Sequence, residues 1–181
     1  LSAMKKTLFL SAAFLLMSLL GIAQSTFKIS SNGRPVVEIV VPTASWSVTT
    51  TDSLFSIIPI DEGETSRLIT MIWASKNPHS ETAIDDIANE AFDVVEALLE
   101  DITWNEELSE FDNNGISFVA QDGQGYYANE DGTKDEMTTT VMLLMPDDVN
   151  VIALVYFGTP EAYDKWSESL LEIILSIIPA E

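Results

Sequence analysis

Two apolar runs late in the chain constrain its fold more than any other feature. Val141 to Met145 (VMLLM) and Val151 to Phe157 (VIALVYF) are apolar at nearly every position, without the alternation that leaves one face wet. A strand of that composition is covered on both faces, so it lies inside a sheet with a layer above and a layer below. Pro146-Asp147-Asp148 makes the turn between them. A helix follows that can supply one layer. Thr159 stands at its N-cap, and Pro160 at the first helical position, where a missing N–H costs nothing. Tyr163, Trp166, Leu170, Leu171, Ile174, Ile177 and Ile178 form its apolar stripe, and Pro179 is expected to stop it.

Upstream, β-branched and aromatic residues predict strands at Phe27–Ser30, Val36–Val41, Trp46–Thr51, Leu54–Ile60 and Arg67–Ala74. Ser31-Asn32-Gly33 reads as a turn and Asp61–Thr65 as a polar loop; Pro59 marks an edge or a bulge. Ile84, Ile87, Ala91, Val95, Leu98 and Ile102 recur at helical spacing, and Thr82–Asp85 fits a capping box that opens this helix. Strands are expected over Trp104–Phe111 and Ile116–Tyr127, with a hairpin turn at Asn129–Thr133 where Asp131-Gly132 suits positive φ. The expected class is α+β: a three-layer α/β/α sandwich, mostly antiparallel, with a helix on each face.

Residues 1–23 read as a signal peptide with a short upstream extension. Met4-Lys5-Lys6 is a basic start, Thr7 to Ile22 an apolar run, and Gly21-Ile22-Ala23 a cleavage site, which puts the mature start at Gln24. Residues 24–181 then form a single domain, exported to the periplasm or beyond, with no stable membrane insertion after cleavage. The chain has no cysteine, which excludes disulfides, thiolate chemistry and a lipid-attachment site. Its net charge is −21; cleavage takes Lys5 and Lys6 from the eight basic residues and leaves all 29 acidic ones, giving −23. Phosphate backbones would meet a repulsive field, so nucleic acid is excluded as a partner.

Three local features resemble the PsbP-like family. They are Val41-Pro42 leading to Trp46, the strand feeding a long helix over Arg67–Glu100, and Val155-Tyr156-Phe157-Gly158-Thr159-Pro160-Glu161 before the last helix. The likeness spans about residues 36–178. That family includes the extrinsic subunit of the oxygen-evolving complex, a nuclear import factor that binds a small GTPase, and bacterial DcrB-type envelope proteins. The resemblance implies binding or scaffolding without catalysis. No family motif maps onto this chain residue by residue.

The residues themselves point the same way. His79 is the single histidine, and no Gly-x-Ser-x-Gly surrounds any serine. Glu106-Glu107, Glu110 with Asp112, and Asp147-Asp148 are paired carboxylates; an envelope hydrolase would need one of a pair held protonated. Asp122, Asn129, Glu130, Asp131, Asp135 and Glu136 are oxygen ligands suited to calcium, and a calcium-dependent scaffold or adhesion module is the other alternative. Their spacing fails the twelve-residue loop: with Gly132 at the glycine position, Tyr127 comes first and Thr138 last. Trp46, Trp73, Trp104, Tyr126 and Tyr127 either line a ligand groove or pack in the core. The expectation is an exported binding or accessory domain for an unidentified protein or small molecule. It assigns no catalytic residue, no metal ligand and no cofactor.

Overall fold

The computed structural model of the chain describes residues 23–60 and 67–181. The expected leader, Ala23 apart, lies outside the described residues, as does the polar loop Asp61–Thr65. The chain opens with β1 (Gln24–Ser31), β2 (Arg34–Pro42), β3 (Trp46–Thr50), β4 (Phe55–Pro59) and β5 (Leu68–Ala74). Helix α1 (Ala83–Leu98) leads to β6 (Glu100–Trp104), β7 (Ser109–Asn113), β8 (Ile116–Ala128), β9 (Lys134–Met145) and β10 (Ile152–Gly158). Helix α2 (Pro160–Leu175) and the short β11 (Ile178–Pro179) close it.

Eight strands form the main sheet in the order β3-β4-β5-β10-β9-β8-β6, with β7 also paired to β8. Its pairings are antiparallel. All seven residues of β10 are buried, as its composition requires. Successive strand side chains point to opposite faces, and here they enter two separate buried clusters. Ile152, Leu154 and Tyr156 join Leu170, Ile173 and Ile174 of α2 and Val37, Ile39 and Val41 of β2. Ala153, Val155 and Phe157 join Ile87, Ala91 and Val95 of α1. Each fully buried Leu, Ile or Val contributes about 1.5–3 kcal/mol, so this strand links both cores.

The structure corrects several local expectations. Strands β1, β2 and β11 form a three-stranded sheet of their own. Pro42 has no N–H to extend a ladder, and Ser45 turns back to bond its carbonyl at 2.9 Å before β3 begins. The capping box does not form: Thr82 makes no side-chain cap and donates instead to the Asp86 carboxylate at 2.8 Å. Helix α1 ends at Leu98, short of Ile102, because Leu99 is extended and Glu100, Thr103 and Trp104 pair with β8. The strand expected over Trp104–Phe111 is two strands, β6 and β7, on the same edge of β8.

Helix α2 has its expected cap, with Thr159 accepting from the Ala162 N–H. It stops at Leu175 rather than at Pro179. The Ser176 hydroxyl donates to Ile173 at 2.6 Å and accepts from the Val40 N–H at 3.0 Å, which pins the helix end to β2. Leu171 and Ile178, expected in the stripe, are 51% and 43% exposed, and Ile173 is buried in the core.

Candidate functional site

The two ends of β10 open into two different clefts. The larger, about 870 Å³, lies at the Gly158 end. Its origin is a break in strand pairing. Strand β4 pairs with β5 only over Phe55–Ile57, and Pro59 follows at once with no N–H to continue. Ile58 is therefore left 43% exposed on one wall. Ile69, Phe157 and Met137, from β5, β10 and β9, make an apolar floor beside α1. Leu98, the last residue of α1, overhangs it. Gly158 allows the closing approach: a Cβ there would lie 2.7 Å from the Arg67 carbonyl oxygen.

The polar groups of this cleft sit at its rim. Arg67 donates to Asn129 Oδ1 at 3.1 Å, pairs with Asp135 at 3.4 Å and lies 5.4 Å from the centre of the Tyr127 ring. The β8–β9 hairpin supplies Asn129, Glu130, Asp131 and Thr133. Gly132 takes φ +84°, the conformation the Asp-Gly pair suggested. Asp131 Oδ1 accepts from the Thr133 hydroxyl at 2.6 Å and from its N–H at 2.9 Å. Those bonds hold the Asp131 carboxyl below its ordinary value.

The second cleft, about 740 Å³, lies at the Ile152 end and is more polar. It brings together the single histidine, His79, with Asp147 and Asp148, and adds Asn32 from the β1–β2 turn and Arg34 from the start of β2. Chemistry is nonetheless hard to assign to it. Asp147 Oδ1 accepts from the N–H groups of Val149 and Asn150 at 2.8 and 2.6 Å, and Oδ2 from the Asn150 amide at 2.8 Å. Burial works to raise the Asp147 pKa, but the bonds from Asn150 and Val149 outweigh it, so the carboxyl sits below its usual range. A general acid needs the opposite shift. Asp147 is a turn-closing residue.

The other expected carboxylates belong to neither cleft's chemistry. Glu106, Glu107 and Glu110 are exposed, and Asp112 accepts from Ser117 at 2.5 Å. Nor do the calcium candidates converge. Asp122 takes the Thr140 hydroxyl, Asp131 is held by Thr133, and Asp135 pairs with Arg67. Asp135 and Glu136 are adjacent on β9 and so point to opposite faces. Among the described residues, no three His, Asp or Glu side chains are placed to hold a metal ion. Of the aromatics, Trp46 and Trp73 are core, and Trp104 packs edge-on against Phe92 at 4.9 Å. Tyr126 is 42% exposed, and Tyr127 lines the larger cleft.

No protein-family model matches the sequence, and no curated protein matches it. Solved structures do match in shape. The solution structure of cyanobacterial PsbP (CyanoP) from Synechocystis sp. PCC 6803 aligns with a TM-score of 0.53 at 10% identity, covering 88% of this chain and 94% of that one. The fold is PsbP-like. LpqN, involved in cell envelope biogenesis of Mycobacterium tuberculosis, aligns at 0.49 and 13% identity, over 87% of this chain and 92% of its own. Among the features that suggested the resemblance, Val41-Pro42 ends β2, Trp46 opens β3, and Val155–Glu161 is the passage from β10 into α2. In this PsbP-like frame the cleft residues Ile58, Arg67, Ile69, Met137 and Phe157 were not singled out by sequence reasoning. Pro59 and Gly158 were the available signals, since each marks a place where ordinary strand packing has to change.

Proposed function

We propose that this chain is an exported binding or accessory domain without catalysis of its own, and that the apolar cleft at the Gly158 end of β10 holds its ligand or partner. The observation that carries the proposal is the lining: an apolar floor of Ile69, Met137 and Phe157 with a few fixed polar groups at the mouth. Ligand sites are built that way, with apolar walls for affinity and sparse polar groups for orientation. The hydrolase and calcium-dependent alternatives lack comparable support, because among the described residues their carboxylates are dispersed and no three of them converge. Export rests on the basic start and apolar run that end at Ala23. Residues 24–181 are read as one three-layer sandwich with a helix on each face, a reading supported by the two buried clusters that share β10.

Methyl-resolved NMR with a panel of small uncharged apolar fragments tests the site. Shifts are expected to cluster on the methyl groups of Ile58, Ile69, Leu98 and Met137. Shifts confined to the exposed Leu171 and Leu175 of α2, or none at all, would remove the cleft from the proposal.

A further inference from the structure

We propose that the occupant of this cleft is a basic protein segment. One or two of its apolar side chains sit on Ile69, Met137 and Phe157, and flanking Lys or Arg side chains meet Glu130 and Asp131. The inference rests on the cleft reading above and adds the chemistry of the partner.

Rim charge is the first ground. Arg67 is the cation at the mouth, and Asp135 already neutralises it at 3.4 Å. Lys134, in the same hairpin, is drawn away to Glu100 at 2.7 Å and Asp101 at 3.4 Å. Glu130 and Asp131 remain at the rim, and among the ion pairs of the described residues neither has a basic partner. Hydrogen bonds from Thr133 keep Asp131 fixed, so its charge is presented from a rigid hairpin. Beyond the rim, a chain of net charge −21 draws cations toward it and repels acidic partners.

The footprint is the second ground. Exposed apolar side chains at this end of β4 include Ile58, 43% exposed, and Ile60, 52% exposed, one residue past the strand's end at Pro59. Leu98, 39% exposed, bounds the other side. A small molecule seated on the floor would leave Ile60 in water, whereas a peptide crossing the cleft covers it. Paired apolar anchors with a charged fringe are the usual form of such contacts.

The test uses synthetic peptides of about ten residues, a length that spans such a groove. One carries a Phe-Leu pair flanked by Lys and Arg. A second replaces the basic residues by Gln, and a third keeps them but replaces Phe and Leu by Ser. Affinity is measured by fluorescence anisotropy in ~0.15 M salt, where diffuse attraction is strongly screened. Circular dichroism and melting confirm that each protein variant is folded.

The basic apolar peptide is expected to bind more tightly than either counterpart. Leu98→Glu should weaken it about ten-fold, by replacing the apolar wall that bounds the groove with a charge. This variant adds negative charge, so diffuse attraction alone predicts unchanged or tighter binding, and that result would overturn the proposal. Glu130→Gln with Asp131→Asn should weaken it about threefold. Glu168→Gln with Glu172→Gln, the same charge change on α2, should not; equal losses from the two pairs would also overturn it. If the Gln peptide binds as tightly as the basic one and both lose affinity in Leu98→Glu, the cleft stands as a binding site and the basic partner is refuted. If Leu98→Glu affects no peptide while the apolar fragments still shift the cleft methyls, the peptide partner alone is refuted.

Discussion

At its Gly158 end, β10 runs out beside two strands that have already parted. At its Ile152 end, it leaves a turn in which one carboxylate answers three donors. The first end has apolar side chains and no backbone ladder to close over them, because β4 and β5 stop pairing at Ile57. The second has abundant polar side chains, and Asp147 gathers the nearby N–H groups to itself. An end left open by a missing hydrogen-bond ladder keeps apolar surface available for a partner. An end closed by a side chain that mimics the ladder has already used its polar groups, even where His79 and two aspartates stand together.

The most severe way to break this comparison is to remove the strand both ends share. Leu154→Asp and Val155→Asp each put a charge into a different buried cluster. Both are expected to unfold the domain, at a cost of several kcal/mol. Thermal melting checks it: a wild-type melt from either variant means that face of β10 is wet.

Gly158→Ala probes the open end alone. Its Cβ would stand 2.7 Å from the Arg67 carbonyl and 2.8 Å from Leu68 Cδ1, so the start of β5 has to move. The expected loss is about 1–3 kcal/mol by chemical denaturation, with the Ile69 methyl resonances displaced. Unchanged stability would mean that the wall of the cleft is compliant rather than fixed by that contact.

Asp147→Asn probes the closed end, with the smallest effect, about 1 kcal/mol or less at neutral pH. The folded-state pKa of Asp147 is depressed below its ordinary 3.8. Its stabilisation is therefore present above the unfolded value and is lost as pH falls through the folded one. Denaturation curves of the two proteins should differ at neutral pH and converge at strongly acidic pH. A gap that persists there would show that hydrogen-bond geometry, rather than ionisation, holds the turn.

The sequence alone determined the elements whose patterns are local. Seven consecutive apolar residues dictated a doubly covered β10, because no other placement keeps both faces dry. Thr159-Pro160 dictated the start of α2, and Asp131-Gly132 a positive-φ turn, since both depend on groups a few residues apart. Element ends were decided elsewhere. Whether Leu171 or Ile173 is buried, and where α2 stops, depends on Val40 bonding Ser176 across 136 residues. The division of Trp104–Phe111 into β6 and β7 depends on β8 offering one edge to both. The apolar part of the candidate site belongs to this second class, although its rim hairpin and Tyr127 were legible locally. Ile58, Arg67, Leu98, Met137 and Phe157 come from four strand or loop segments and a helix end, and none carries a local pattern that names it. Only the parting of β4 from β5 left them facing one space, and long-range pairing decides where a ladder ends.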